Sequence, residues 1–149
     1  MIFEVENKKV FSSDIGQIFD KNKHSIILLH GSGQSHVVWS LTDQYLADEG
    51  FNVFALDLPG HGNSEGSSLK SIEEMADWLN KVVNVIGIKD LTILGHSQGC
   101  LVAIEYANKF PNNIKNLIFV AGSYQIPVNK SLIDLANAGD FESINLMMK

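Results

Sequence analysis

The chain has 149 residues, enough for one domain with a real core, since a domain near this size buries roughly 68–70% of its unfolded surface. Hydrophobic residues make up 45% and charged residues 19%, which suits a globular protein with much buried sheet. The net charge of −6 argues against a nucleic-acid-binding protein, where a basic face is expected. A single cysteine, Cys100, excludes an intrachain disulfide and fits a cytoplasmic location, although a secreted protein without disulfides would have the same composition.

The N-terminal residues lack the positive start and long apolar run of a signal peptide, and no apolar run is long enough to span a bilayer. We therefore expect a soluble protein that does not bind membranes. Residues 1–20 alternate weakly and contain turn residues, which predicts an opening hairpin. Residues 24–30 form a short apolar run typical of a strand buried on both faces.

The next two elements are a helix and a strand. Residues 36–49 place apolar side chains close to helical spacing, and Gly50 is a plausible helix stop. These side chains are Val37, Val38, Leu41, Tyr45 and Leu46. Residues 51–58 are a second buried strand. The loop that follows is rich in turn residues and ends before Ser71.

Ser71 begins the clearest amphipathic helix, because Glu74 stands three residues later as in a capping box. A third strand follows at residues 91–95, a helix at 98–109 and a fourth strand at 114–122. After Pro127 two short helical stretches are predicted, at 130–138 and 140–148. Strands that alternate with helices indicate an α/β protein with a mostly parallel sheet and helices on both faces.

The segment Gly95-His96-Ser97-Gln98-Gly99 is a G-x-S-x-G pattern between a predicted strand and a predicted helix. This context is the one that a nucleophile elbow requires. A serine on such a sharp turn stands clear of the sheet, at a strain of about 1–3 kcal/mol. Gly95 and Gly99 leave room for close backbone approach. The helix N-terminus favours negative charge, and the Gln98 backbone N–H would be one oxyanion donor. The alternative is a simple strand-to-helix turn, since the bare pattern is common by chance.

Two further motifs make the resemblance specific. His30-Gly31-Ser32-Gly33, ahead of Trp39, looks like the oxyanion loop of the α/β-hydrolase fold family, and residues 57–64 (DLPGHGNS) resemble the turn after that family's next strand. The three motifs span residues 24 to about 122. The resemblance implies an α/β-hydrolase core and a serine hydrolase with Ser97 as nucleophile. It also implies a second oxyanion amide at Ser32, a small-molecule acyl substrate, and no metal or organic cofactor.

The histidines have other expected roles. His30 and His61 are expected to shape their loops, and the His96 side chain to point away from the serine hydroxyl. His24 and His36 are expected at the surface.

Cys100, Asp57 and Trp39 are also expected to have structural roles. Cys100 lies in the first turn of a helix, where a thiolate can be stabilised, but a small packed residue is the expected role. Asp57 should hold its turn by local hydrogen bonds, and Trp39 should pack beneath the oxyanion loop. No His/Cys spacing suits a metal site, and no glycine-rich loop matches a phosphate-binding pattern.

The triad order in this family is serine, acid, histidine, yet no histidine follows Ser97. The later acids are Glu105, Asp134, Asp140 and Glu142. A serine hydroxyl is a weak nucleophile without a base. We therefore expect this chain to be inactive by itself and to be the front part of a longer reading frame, with the core truncated before its last strands. Residues 1–126 are assigned to the core and 127–149 to the start of a helical cap or lid.

Several other functions are compatible with these motifs. The same scaffold with a serine serves lyases, carbon–carbon bond hydrolases and cofactor-free haloperoxidases, and the motifs do not separate these from esterases or thioesterases. Some family members use the pocket as a ligand receptor. The chain could also be a non-catalytic remnant.

Overall fold

The computed structural model describes residues 1–13, 15–125, 127–139 and 142–143. The strands and α-helices are, in chain order, β1 (Ile2–Val5), β2 (Lys8–Phe11), β3 (Ser25–Leu29), α1 (Thr42–Asp48), β4 (Asn52–Leu56), α2 (Ile72–Ile86), β5 (Leu91–His96), α3 (Gln98–Lys109), β6 (Ile114–Val120) and α4 (Lys130–Asn137). The first two strands form the predicted hairpin, which is shorter than the predicted 1–20. Its turn residues Glu6 and Asn7 both have positive φ, as a two-residue hairpin turn requires.

The other four strands form one parallel sheet in the order β4-β3-β5-β6. Every residue of β3 and β4 is buried, as expected for strands covered on both faces. The hairpin meets this sheet at β4, where Ser12 bridges Leu56 in antiparallel fashion. These strands and helices confirm the predicted α/β class with a parallel sheet.

The two faces of the sheet pack against different helices. Alternate side chains point to opposite faces, so Ile27 and Ile93 pack against α2 and α3, while Leu28 and Leu94 pack against Trp39 and the α1 side. Each large apolar side chain buried in this way stabilises the fold by about 1.5–3 kcal/mol. Helices therefore lie on both faces, as the alternation of elements predicted.

Helix α2 confirms the predicted N-terminal cap. Ser71 Oγ accepts a hydrogen bond from the Glu74 backbone N–H at 3.1 Å. The Glu74 carboxylate reaches back to the backbone N–H of Lys70 at 2.8 Å, one residue earlier than in a standard capping box. The helix ends at Gly87, whose φ of 81° belongs to the left-handed region that favours glycine.

The predicted helix over residues 36–49 is only partly correct. The structure has a 3₁₀ turn at His36–Trp39 and then α1 at Thr42–Asp48. Leu41, one of the apolar side chains at near-helical spacing, is 87% exposed. The reason is tertiary: the backbone N–H of His36 donates to the buried carboxylate of Asp57 at 2.7 Å, which starts the segment as a tight turn.

Strand β6 differs from the other sheet strands in its exposure. Phe119 is 48% exposed, whereas β3 at the centre of the sheet is fully covered. Within the described residues β6 is an edge of the sheet. Helix α4 follows it, and most of the predicted 140–148 helix lies outside the described residues. In the described part of the chain, no helix is long and apolar enough to cross a membrane.

Candidate active site

Ser97 occupies the bend between β5 and α3 in a strained conformation. Its φ of 51° and ψ of −115° are rare for a residue with a side chain. Its backbone N–H donates to the Val120 carbonyl on β6 at 3.0 Å, and its carbonyl accepts from the Cys100 N–H at 2.9 Å. Strain of this kind persists only where the surroundings enforce it. The sharp strand-to-helix turn predicted from the sequence is present.

Two glycines make this turn possible. A Cβ on Gly95 would lie 2.4 Å from the Gly99 carbonyl oxygen, and a Cβ on Gly99 would lie 2.5 Å from the Leu29 carbonyl oxygen. Both distances are shorter than real Cβ contacts, and both obstacles are backbone atoms. Glycine is therefore required at each position for α3 to pack against β5 and β3.

The loop after β3 lies directly against this bend. A Cβ on Gly31 would be 3.1 Å from the Ser97 Cβ, so the loop backbone touches the elbow. Ser32 is exposed and lines the same pocket as Ser97. Gln98 is the first residue of α3, where backbone N–H groups have no partner within the helix. The structure thus places Ser32 and Ser97 in the lining of one pocket, with the start of α3 directly after Ser97.

His30 is wholly buried and has a defined tautomer. Its Nε2 accepts from the Leu58 backbone N–H at 3.1 Å, so the proton must be on Nδ1, which donates to the Gly31 carbonyl at 2.8 Å. Burial lowers the pKa of His30 below its usual value. Both nitrogens are therefore committed to holding the loop, which agrees with the expected structural role.

Asp57 and His36 form a pair that joins two loops. The fully buried Asp57 carboxylate accepts from the His36 Nδ1 at 2.9 Å and from the Asn63 backbone N–H at 2.8 Å. The second bond confirms that Asp57 holds its own turn. His36, expected at the surface, has a side chain that is only partly exposed, because its ring lies against the carboxylate and against Phe11, with the Phe11 ring centroid 4.7 Å away.

The three remaining histidines each contact another residue through one ring nitrogen. His61 bonds the Pro59 carbonyl through Nδ1 at 3.1 Å, a local contact within its turn. His24, also expected at the surface, is half-buried, and its Nε2 lies 2.8 Å from the Thr92 Oγ1. The His96 Nδ1 is 2.9 Å from the Gln34 Oε1. Among the described residues, no hydrogen bond joins a histidine to the Ser97 hydroxyl.

Cys100 and Trp39 are packing residues. The Cys100 thiol is buried and donates to the Gly95 carbonyl at 3.0 Å. Burial raises its pKa, which disfavours a thiolate. Trp39 is buried and its ring meets His96 edge-on, with centroids 6.4 Å apart. Cys100 is a small packed residue, as expected; Trp39 is buried in the core with Leu28 and Leu94, and its place beneath the oxyanion loop stays a prediction.

A pocket of about 590 Å³ opens above Ser97. The oxyanion-loop side contributes Gly31, Ser32 and Gln34, and the elbow contributes His96 and Ser97. The opposite wall is mostly apolar and comes from the segment around α4, with Pro127, Val128, Leu132, Ile133 and Ala136. This wall comes from the segment that the sequence analysis assigned to the start of a cap, whereas sequence reasoning missed Gln34, because no recognisable motif marks it.

None of the described acids after Ser97 lines the pocket. Glu105 lies within α3 and Asp134 within α4, Asp140 lies outside the described residues, and Glu142 is not among the pocket-lining residues. In the part of the chain that the structure describes, no group of three His, Cys, Asp or Glu side chains could hold a metal ion.

Two curated proteins illustrate the sequence similarity of this chain to known proteins. A protein from Mycobacterium bovis described as uncharacterized is 36% identical over 107 residues, covering 70% of this chain and 31% of that protein. The pimeloyl-[acyl-carrier protein] methyl ester esterase of Proteus mirabilis is 37% identical over 107 residues, covering 72% of this chain and 40% of that enzyme. The chain thus spans well under half the length of these curated relatives.

Solved structures share the fold. A carboxylesterase of the ammonia-oxidizing archaeon Nitrososphaera gargenis superposes with a TM-score of 0.77 at 23% identity, covering 92% of this chain and 51% of that one. The sequence model of the alpha/beta hydrolase fold matches residues 24–143, which include all three motifs. The chain therefore belongs to the alpha/beta hydrolase fold family.

Proposed function

We propose that Ser97 is the nucleophile of a hydrolase that cleaves an ester or thioester. The observation that carries this proposal is the conformation of Ser97, with its φ of 51° at the bend between β5 and α3 and its place on the pocket wall. A non-glycine residue held in this region marks stored strain, and such strain concentrates at functional sites. The esterases among the relatives support the same reaction class.

The oxyanion would be held by the backbone N–H groups of Ser32 and Gln98. In the first step the Ser97 Oγ attacks the carbonyl carbon, and the carbonyl oxygen takes the negative charge. The N-terminus of α3 favours this charge. Loss of one such donor costs about 10²–10³ in turnover, so these two backbone positions would matter although they contribute no side chain.

The proton of Ser97 needs a base. His96 is the last histidine of the sequence, and its Nδ1 is occupied by Gln34. We propose that a histidine and its acid partner from outside these 149 residues complete the triad. The 149-residue chain by itself is then expected to be inactive, because removing the base costs several orders of magnitude in turnover.

The pocket indicates the substrate class. Apolar side chains before and along α4 suit an aliphatic acyl chain, while the polar elbow and loop suit the ester carbonyl. We assign residues 127–149 to the start of a cap that shapes this pocket, and we propose a small-molecule acyl substrate, no organic cofactor or metal, and a cytoplasmic location.

A panel of p-nitrophenyl esters and acyl-CoA thioesters tests the proposal on a protein that contains this chain together with the missing base. Ser97→Ala should abolish turnover. Ser67→Ala, in an exposed loop outside the pocket, is the matched control and should keep it. Turnover that survives Ser97→Ala would refute the proposal. If the protein turns over none of these substrates but binds a ligand tightly and saturably, a receptor function would be favoured.

A further inference from the structure

The side chain of Gln34 connects the oxyanion-loop segment to the elbow. Its Oε1 accepts a hydrogen bond from the Gly31 backbone N–H at 3.0 Å and lies 2.9 Å from the His96 Nδ1. An amide oxygen only accepts, so the His96 proton must be on Nδ1. The Gln34 backbone N–H returns to the Gly31 carbonyl at 3.2 Å, which closes the turn. One amide oxygen therefore holds two groups from two separate segments.

The distance between these two segments would set the distance between the oxyanion donor and the nucleophile. His96 immediately precedes Ser97, and Gly31 immediately precedes Ser32. The loop has little freedom, because a Cβ on Gly31 would lie 2.9 Å from the Gln34 Oε1 and 3.1 Å from the Ser97 Cβ. Since Gln34 joins this closely packed loop to the elbow, we expect a change in its contacts to shift the Ser32 amide relative to the serine hydroxyl.

We propose that Gln34 is a positioning residue that sets the distance between the oxyanion amide of Ser32 and the nucleophile Ser97. This inference rests on the proposed function of Ser97. An oxyanion donor works only within about 2.7–3.1 Å of the charge that develops, and a misplacement of about 1 Å can cost about 10²-fold in rate. Gln34 would not contact the reacting atoms in this role.

Three variants separate positioning from bulk packing. Gln34→Met keeps the length of the side chain but removes the strong acceptor. Gln34→Glu keeps an oxygen where both donors can reach it. Gln44→Met is the matched control, since Gln44 is exposed on α1 and its side-chain amide donates to Asp48 of the same helix, away from the pocket.

The first measurement uses the 149-residue chain and needs no turnover. Amide exchange at Gly31 and the ¹⁵N shifts of the His96 ring report the two bonds directly. Gln34→Met should speed Gly31 exchange at least about tenfold and abolish the preference for the Nδ1–H tautomer. Gln34→Glu should keep both signals, and Gln44→Met should match wild type. Unchanged Gly31 exchange in Gln34→Met would overturn the inference.

The second measurement uses the ester assay on the protein that carries the base. Gln34→Met should lower kcat roughly 10- to 100-fold with KM within about threefold, because positioning acts on the transition state. Gln34→Glu should recover most of this loss. The positioning role would be overturned if Gln34→Met and Gln34→Glu lost the same amount of kcat. It would also be overturned if Gln34→Met kept its kcat while Ser97→Ala was inactive. Either result would leave the proposed function intact. Activity that survives Ser97→Ala would instead refute the proposed function.

Discussion

Gly95→Ala is the most direct test of the elbow geometry. The added Cβ would lie 2.4 Å from the Gly99 carbonyl oxygen and 2.6 Å from the Cys100 backbone nitrogen, so the helix must retreat by about 0.6 Å merely to reach 3.0 Å. Gly95 cannot move instead, because β5 is paired on both sides, with Leu29 and with Phe119 opposite Gly95. We expect a loss near the upper end of the usual overpacking range, about 3 kcal/mol.

The assay is urea unfolding of the 149-residue chain, followed by the fluorescence of the buried Trp39 and Trp78. A loss of about 3 kcal/mol lowers the urea midpoint by roughly 1–3 M, since the slope m for a small protein is about 1–3 kcal/mol/M. Gly87→Ala is the matched control: its site is sterically open but has a φ of 81°, which costs about 1–2 kcal/mol through backbone strain alone. A Gly95→Ala variant more stable than Gly87→Ala would refute the close packing of α3 on β5.

Three further predictions concern buried polar groups. Burial lowers the pKa of His30 from 6.5 in the folded state, so the unfolded state binds more protons than the folded state as the pH falls. The free energy of unfolding should therefore be highest above about pH 6.5 and decline toward pH 5. His30→Gln should flatten this decline when urea unfolding is measured across this pH range. Asp57→Asn should cost about 2–3 kcal/mol, since it weakens charge-assisted bonds, whereas the exposed Asp48→Asn should stay within about 0.5 kcal/mol; similar losses would contradict this account. The Cys100 thiol should resist a thiol-specific disulfide reagent in the native chain and react fully in urea, and rapid native labelling would show that it is accessible.

Local signals explain what the sequence could predict. Uninterrupted apolar runs identify β3 and β4 because a parallel strand is covered on both faces. The start of α2 is predictable because Ser71 and Glu74 are three residues apart. The elbow at Ser97 is predictable because its two glycines, its serine and its flanking elements are all contiguous.

Long-range contacts explain what the sequence could not predict. The start of the 3₁₀ turn depends on Asp57, which is 21 positions from His36. The Gln34 contact with His96 spans 62 positions, and no periodicity or motif encodes a pair at such a separation. Helical spacing also predicted too long a helix in this region. The structure has α1 only at Thr42–Asp48, and Leu41, which precedes it, is exposed.

The contacts that position Ser97 are separate from those that would activate it. Its strained φ is fixed by β5 pairing, by the Val120 carbonyl and by the approach of Gly99 to the Leu29 carbonyl, all of which belong to the sheet and α3. A general base, by contrast, must reach the hydroxyl itself, and no histidine among the described residues bonds it. A substitution in the elbow should therefore change stability in the 149-residue chain, whereas Ser97→Ala should change it little and act only on turnover once a base is present.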